Sequence, residues 1–311
     1  MRIRRTLALG AVSLALIASA CTPGGDEPSA GASQAASRPA VTVGSAAFWE
    51  AAVVAEMYAQ VLEANGYTVE RRLEIGERPA VHTALEADEV NLISEYLGGL
   101  SGQGLGLEEL PNDPQEAWDN MQDALAEKGW VSFGFSPGTD ADGFAVRQET
   151  ADEHGLANMT DLAEVADQLV WGLAEGCPDN PVCGPGLNEV YGIDISELEV
   201  ETLPSCSTDM ATALNDEAID VAQVCTTQPE ISSMNLVLLE DDQSLQPAQN
   251  LVPVATQELV DAAPDDLGEL LDPVTEALTT EALIELGVAI NINVEDIADV
   301  AASFLEDNGL V

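Results

Sequence analysis

Residues 41–96 read VTVGSAAFWEAAVVAEMYAQVLEANGYTVERRLEIGERPAVHTALEADEVNLISEY, and this stretch decides the fold class of the chain. It opens with the apolar–polar alternation of a strand and continues with a helical spacing of apolar residues that stops at Asn65-Gly66. The pattern then repeats as a strand at 68–73, a helix opening at Pro79 and a strand at 90–93. This order of strands and helices predicts a parallel α/β layer.

The last residues of this stretch, Glu95-Tyr96, follow the third predicted strand directly. Open α/β sheets bind their ligands at the carboxyl ends of their strands. We therefore expect this end of the strand to face a ligand.

A second series of alternating strands and helices begins near Gly143. It predicts a second lobe over 141–245, whereas 41–140 and 246–311 form the first lobe. Two α/β lobes joined by a double crossover form a cleft that can close around a solute. An enzyme can share this architecture, so the fold class alone does not decide the function.

The first 20 residues have the order of a bacterial export signal, with three arginines, an apolar run at 7–17 and Ala18-Ser19-Ala20 before Cys21. The apolar run is shorter than the roughly 20 residues that a membrane-spanning helix needs. Ala18-Ser19-Ala20 also fits an ordinary A-x-A cleavage site, so the lipoprotein interpretation depends on Cys21. Residues 21–40, mostly Gly, Pro, Ser and Ala, are expected to be a disordered tether. The predicted location is the extracytoplasmic face of the cell membrane.

The chain has five cysteines, and Cys21 is the one left over for a lipid. The other four predict two local disulfides in an oxidising compartment, Cys177 with Cys183 and Cys206 with Cys225. A metal site is the alternative, but the first pair lacks C-x-x-C spacing and the two histidines lie far away in sequence. We expect neither a metal nor a cofactor, and interpret His82 and His154 as ordinary surface or helix residues.

The charge of the chain is strongly acidic. Without the three arginines of the predicted signal, six basic residues face 56 acidic ones, a formal charge of −50, and Lys128 is the only lysine. Such a chain repels nucleic acid and, at low ionic strength, itself. Molar salt shortens the Debye length to about 3 Å and relieves that repulsion. We therefore expect a haloadapted exported protein; a disordered acidic chain is disfavoured by its 46% hydrophobic content.

Several ordered segments carry a family resemblance. Residues 41 to about 305 resemble the glycine betaine, carnitine and choline family of ABC transporter substrate-binding proteins. The segment ALEADEVNLISEYLGG is similar to the family pattern ALxxGEIDxxPEYTG, and the Cys177/Cys183 spacing looks like an actinobacterial branch. The other matching segments are DLAEVADQLVWGL, GPGLNEVYGI, ATALNDEAIDVAQVCTT and NLVLLEDDQSLQPAQNLVPV.

The resemblance implies a two-lobed periplasmic-binding-protein fold of the second topological type. It also implies a solute in the cleft and an ABC permease with its ATPase as partners. Better-known members enclose a trimethylammonium group in aromatic rings, because such a cation cannot donate hydrogen bonds. A monomer is expected, since a binding protein delivers its solute singly.

The predicted cage is only partly present. Tyr96 matches the tyrosine of the family motif, and Phe48 and Trp49 occupy the ligand-facing first turn. Residues 140–144 and 225–228 replace two other cage tyrosines, so carboxylates and neutral hydrogen-bonding groups are expected there instead. The predicted ligand-binding residues are Tyr96, Phe48, Trp49, Asp142, Phe144, Thr226, Thr227 and Gln228.

Each of these positions has a structural alternative. Tyr96 can be a packing residue at a strand end, Trp49 can cap a core, and an Asp in so acidic a chain is often solvated surface. Arg78 and Arg147 are the candidates for pairing with a solute carboxylate, or they pair with surface acids. Asn250 fits the crossover region and is expected to be structural.

Two other classes of function, a hydrolase and a sensing lipoprotein, are alternatives to transport. An exported hydrolase needs a nucleophile with a base or paired carboxylates, and the chain has no G-x-S-x-G, H-E-x-x-H or P-loop. We therefore predict that the protein is not an enzyme. A ligand-sensing lipoprotein without a transport role shares every feature above, and the neighbouring genes would distinguish it.

Overall fold

The computed structural model describes residues 38–263 and 266–311, and these form one compact unit from Arg38 to Val311. The predicted export signal, the lipid site at Cys21 and nearly all of the tether lie outside the described residues. Within the described part, no helix has the length and apolar character needed to cross a membrane.

The described chain forms ten strands and thirteen α-helices. The strands are β1 (Ala40–Gly44), β2 (Thr68–Arg72), β3 (Leu92–Tyr96), β4 (Trp130–Ser132), β5 (Asp142–Arg147), β6 (Val170–Leu173), β7 (Glu199–Thr202), β8 (Val221–Cys225), β9 (Leu236–Leu238) and β10 (Leu251–Thr256). The helices are α1 (Trp49–Ala64), α2 (Arg78–Glu86), α3 (Leu97–Gly99), α4 (Pro114–Lys128), α5 (Gln148–His154), α6 (Met159–Ala163), α7 (Gly184–Gly186), α8 (Thr208–Asn215), α9 (Glu230–Ser233), α10 (Gln257–Ala262), α11 (Leu267–Ala277), α12 (Thr280–Gly287) and α13 (Ile297–Asp307). Wider π-type turns continue α3, α7 and α12 over Leu100–Gly104, Leu187–Tyr191 and Val288–Ile292.

The strands form two five-stranded sheets, in the orders β2-β1-β3-β10-β4 and β7-β6-β8-β5-β9. In each sheet four strands run the same way and one, β10 or β5, runs against its neighbours. In each lobe, this antiparallel strand is the first strand that the chain forms after it crosses over from the other lobe. The predicted two-lobed architecture with mostly parallel sheets is thereby confirmed.

The first lobe has a core on each face of its sheet. Leu251 and Ala255 of β10 join the apolar cluster formed with α1, α11, α12 and α13. Val252 and Val254 alternate with them and join the cluster formed with α2, α3 and α4. A strand buried on both faces needs apolar residues throughout, which explains the run LVPVA.

The two crossovers lie side by side between β4 and β5 and between β9 and β10. Asp140 N–H donates to the Gln249 carbonyl at 3.0 Å, and Asn250 Nδ2 donates to the Ser136 carbonyl at 2.9 Å. Asn250 is buried, and the structural role predicted for it in the crossover region is confirmed. The predicted lobe boundaries at residues 140 and 245 remain a prediction.

Both predicted disulfides are present in the structure. Cys177–Cys183 closes a short loop, and Cys206–Cys225 joins the second residue before α8 to the end of β8. The sulfurs of the second disulfide lie near Asp142, within 4.8 Å of its carboxylate. Because both cysteines are oxidised, this group offers no thiolate to a metal ion.

Candidate functional site

The base of the site is the carboxyl end of β3. All five residues of β3 are buried, because β1 and β10 pair with the strand on either side and apolar clusters cover both faces of the sheet. Tyr96 ends the strand, and its ring stacks on that of Phe48 with a centroid distance of 6.0 Å and an interplanar angle of 27°. The Arg78 guanidinium carbon lies 5.8 Å from the centroid of the same ring. The strand-end position predicted for Glu95-Tyr96 is therefore confirmed.

Glu95 anchors this base through several hydrogen bonds. Arg78 Nε donates to both carboxylate oxygens at 2.9 Å, and the Tyr96 N–H donates to Oε2 at 2.9 Å. His82 Nε2 lies 2.8 Å from Oε1, and its ring packs near that of Trp130 at 5.8 Å. His82 lies in helix α2, as interpreted from the sequence, but it is only 6% exposed, so its interpretation as a surface residue is wrong.

Glu50 lies at the other end of the Tyr96 ring. It is in the first turn of α1 and 1% exposed, and its Oε1 accepts a hydrogen bond from the Tyr96 hydroxyl. Its Oε2 has no hydrogen-bond partner among the described residues. Burial, with the charge of Asp140 second, raises the pKa of Glu50 to about 8.

The facing wall comes from the crossover and from the turn after β8. Thr227 Oγ1 donates to Asp140 Oδ1 at 2.8 Å, and Gln228 Nε2 donates to the Ser207 carbonyl at 3.1 Å. Gln228 Oε1 is buried and has no partner among the described residues. Burial raises the pKa of the Asp140 carboxyl, against the opposing hydrogen bond from Thr227.

These residues surround two cavities between the lobes, which share Phe48, Asp140 and Cys225 as lining. The first, of about 490 Å³, is here called the arginine side; it is also lined by Arg78, Tyr96, Gln103, Asp142, Val182 and Gln249. The second, of about 450 Å³, is here called the acidic side; it is also lined by Trp49, Glu50, Thr227, Gln228, Glu230 and Asn291. Each is large enough for a small organic solute.

Six of the eight predicted ligand-binding residues line these cavities: Phe48, Trp49, Tyr96, Asp142, Thr227 and Gln228. Trp49 also packs against Gly287, where an added Cβ would lie 3.0 Å from the indole and 3.3 Å from Pro229 Cβ. Burial raises the pKa of Asp142, whereas a hydrogen bond with Gln223 lowers it. Their role in binding a ligand remains a prediction.

The other two predicted residues lie elsewhere. Phe144 is 3% exposed and packs edge-on against Trp171 in the core of the second lobe, with a centroid distance of 5.6 Å. Thr226 joins the crossover instead, since its Oγ1 donates to the Thr139 carbonyl at 2.8 Å and accepts from Ala141 N–H at 3.0 Å. Phe144 is buried because it lies two residues, about 6.5 Å, further along the strand than Asp142.

The two candidate arginines differ in position. Arg147 donates to Asp220 and to the carbonyls of Leu214 and Ile219, and it lines neither side of the cleft. Arg78 lines the arginine side, and within the described residues only its Nε is hydrogen-bonded. Its two terminal nitrogens therefore have hydrogen-bonding capacity for a ligand.

The sequence analysis did not identify Glu50 as a site residue. One signal was available: an acid stands in the first turn of a helix whose next residues are almost all apolar, AAVVA. Charged residues are rarely buried without a partner or a purpose. With 56 acidic residues in the chain, that signal does not stand out.

Comparison with known proteins gives consistent matches. A family model described as the substrate binding domain of an ABC-type glycine betaine transport system matches residues 39–307. The glycine betaine-binding protein YehZ of Escherichia coli is 24% identical, covering 86% of this chain and 90% of that protein. The carnitine transport binding protein OpuCC of Listeria monocytogenes is 25% identical, covering 88% of each. A crystal structure of a glycine betaine/carnitine/choline ABC transporter shares the fold, with a TM-score of 0.79, 23% identity and coverage of 87% and 99%.

Proposed function

The chain belongs to the family of substrate-binding domains of ABC-type glycine betaine transport systems, and from this premise we propose that it captures a small cationic or zwitterionic compatible solute in the interlobe cleft. Proteins of this family bind solutes for import, so the protein is not an enzyme. The solutes proposed carry a cationic nitrogen head, as glycine betaine, choline and carnitine do, or are similar polar solutes. The observation that carries the proposal is the meeting of aromatic rings and carboxylates at one point of the cleft.

The cationic head of such a solute fits the acidic side. The ring of Phe48 lines both cavities and stacks on that of Tyr96, which lines the arginine side. Trp49, Glu50 and Asp140 line the acidic side together with Phe48. Ring faces attract cations, and a desolvated contact of this kind contributes up to about 2 kcal/mol. The nearby carboxylates add a charge opposite to that of the solute.

The arginine side fits the other end of a zwitterion. Arg78 is held in place through its Nε by Glu95, while its terminal nitrogens line the cavity. An arginine fixed in this way can receive a carboxylate in two parallel hydrogen bonds. A neutral polar end, such as a hydroxyl, can use the same nitrogens.

Closure of the lobes accompanies binding in this proposal. Asp140 lies in the crossover between the lobes and contacts Thr227 of the second lobe. A solute that touches Asp140 and Tyr96 together therefore bridges the hinge and both walls. Its binding favours the closed arrangement because only that arrangement makes both sets of contacts.

The remaining parts of the proposal concern the setting of the protein. A lipid on Cys21 would hold the protein at the extracytoplasmic face, and a single copy would deliver its solute to the permease and ATPase. The export signal and the tether predicted from the sequence support this arrangement.

Titration calorimetry in molar NaCl tests the proposal. The purified protein is titrated with glycine betaine, choline, carnitine and ectoine, and at least one is expected to bind. Tyr96→Ala should weaken the best ligand by about fivefold or more, the loss of roughly 1 kcal/mol of ring contact. Tyr67→Ala serves as the control and should bind normally, since Tyr67 is a buried tyrosine of the first lobe that lines neither side of the cleft. Binding of none of the amine-headed solutes would overturn the proposal.

A further inference from the structure

The acidic side of the cleft brings together carboxylates from three separate elements. Glu50 comes from α1, Asp140 from the crossover and Glu230 from α9, and no Lys, Arg or His lines this cavity among the described residues. Glu230 is partly satisfied by Thr208, whose Oγ1 donates to it at 2.7 Å. The cavity therefore lacks a positive charge of its own.

Two residues that line this cavity each have a buried side-chain oxygen without a hydrogen-bond partner among the described residues. Gln228 and Glu50 are 5% and 1% exposed, and Gln228 Oε1 and Glu50 Oε2 have no hydrogen-bond partner among the described residues. The amide of Gln228 cannot be turned to reverse this, because its nitrogen must face the Ser207 carbonyl to donate to it. An unsatisfied buried oxygen is costly, so a ligand that donates to these two atoms gains the most.

We propose that the acidic side binds a cationic group carrying at least one N–H, a protonated amine or a guanidinium, in preference to a quaternary ammonium. This inference rests on the proposed function and names the head group of its solute. A quaternary ammonium has no hydrogen to donate, so it leaves both oxygens unsatisfied. A protonated amine donates to them and also keeps its contact with the rings.

The same geometry couples binding to a proton. In the free protein burial favours the protonated form of Glu50, whose pKa is raised to about 8. The titratable groups beside it are Tyr96 on β3, Asp140 on the crossover and Glu230 on α9, all of them acids. The positive charge that faces them is Arg78 on α2, whose guanidinium carbon lies 5.8 Å from the Tyr96 ring centroid and which acts to lower the pKa of Asp140. An N–H cation favours the carboxylate form, and the proton of Glu50 leaves to solvent as the ligand enters.

Two matched N-methylation series test the inference by titration calorimetry. One runs from ethanolamine through its mono- and dimethyl forms to choline, and the other from glycine through sarcosine and dimethylglycine to glycine betaine. The best N–H-bearing member of a series should bind about tenfold or more tightly than its quaternary member, the value of one hydrogen bond to a charged group. Titrations at pH 7 in buffers of different ionisation enthalpy should show proton release.

Variants separate the possible outcomes. Glu50→Gln should abolish proton release and reduce the preference for N–H cations to less than about threefold, and Gln228→Ala should reduce it in the same direction. Glu63→Gln, on the exposed face of α1 and paired with Arg71, should behave as the unaltered protein. Equal or tighter binding of the quaternary members overturns this inference while leaving the proposed function intact. Failure of every compound to bind overturns the proposed function itself.

Discussion

Glu95 and Glu50 contact the same tyrosine, one at its backbone and one at its hydroxyl, yet their environments are opposite. Glu95 accepts three hydrogen bonds from Arg78 and the Tyr96 N–H, and lies within hydrogen-bond distance of His82. Glu50 accepts one from Tyr96 through Oε1, and its Oε2 has no described partner. A buried carboxylate whose oxygens are all hydrogen-bonded holds a structure together, whereas one with an unsatisfied oxygen beside a cavity is available to a ligand. Glu95 is therefore a positioning residue, and Glu50 is the proposed binding residue.

Breaking the Glu95 network should give the largest effect. Glu95→Ala leaves Arg78 without its partner beneath the cleft, and we expect a loss of about 3 kcal/mol in the free energy of unfolding. Urea denaturation measures it. Glu63→Ala, an exposed acid of α1, corrects for the general relief of negative charge and should change stability by less than about 0.5 kcal/mol. A loss below about 1 kcal/mol for Glu95→Ala would remove its structural role.

Glu50→Gln should have the opposite sign. The folded pKa of Glu50, about 8, lies above its ordinary value of 4.5. The unfolded chain therefore releases this proton at lower pH than the folded protein does, which costs stability as pH rises from about 4.5 to 8. The variant avoids that cost, so it should be more stable than the unaltered protein by at least about 2 kcal/mol at pH 8 and by nearly nothing at pH 4.5.

Denaturation of both proteins across this pH range measures the difference. Glu56→Gln, on the same helix, removes a buried carboxylate that is already paired with Arg71 at 2.6 Å. It should lose stability rather than gain it. A destabilised Glu50→Gln variant at pH 8 would contradict the assignment of Glu50 as the unsatisfied member of the comparison.

Much of this arrangement is predictable from the sequence. The repeated strand–helix pattern of residues 41–96 predicts the sheet and places Tyr96 at its carboxyl end, because periodicity reports which face of each element is buried. The cysteine spacing predicts both disulfides. These are local features, and each is complete within a few residues of the chain.

The other features of the site depend on how deeply each side chain is buried and on contacts with residues distant in sequence. Phe144 belongs to a predicted strand, but whether it reaches the cleft or the core depends on where Trp171 lies. His82 is buried because it lies one helical turn after Arg78 on α2, on the face of that helix that packs against Glu95 of β3. Glu50 differs from the other acids only in its surroundings, and these come from residues distant in sequence that no local pattern reveals.

Tyr96→Phe tests the link between the two carboxylates. Removing the hydroxyl takes away the one donor to Glu50 Oε1, and we expect a loss of about 1 kcal/mol in the free energy of unfolding. Since that hydrogen bond lowers the pKa of Glu50, its loss should raise this pKa. In the Tyr96→Phe background, the stability difference between the proteins with Glu50 and with Glu50→Gln should therefore keep growing to higher pH. Tyr67→Phe, whose hydroxyl bonds to the partly exposed Asp266 at 3.3 Å, is the control. An unchanged pH dependence would show that the tyrosine does not act on Glu50.

Salt should distinguish buried acids from exposed ones, and it gives the smallest expected change in the free energy of unfolding. Raising NaCl from 0.01 M to 1 M shortens the Debye length from about 30 Å to about 3 Å, so the melting temperature of this acidic protein should rise. The exposed pair Arg72–Glu89 acts through solvent, and Glu89→Ala should cost about 0.5 kcal/mol in low salt and nothing in high salt. The loss caused by Glu95→Ala should stay constant, because little solvent separates Glu95 from Arg78. If high salt reduced that loss as well, Glu95 would be another screened surface charge and the distinction drawn at Tyr96 would fail.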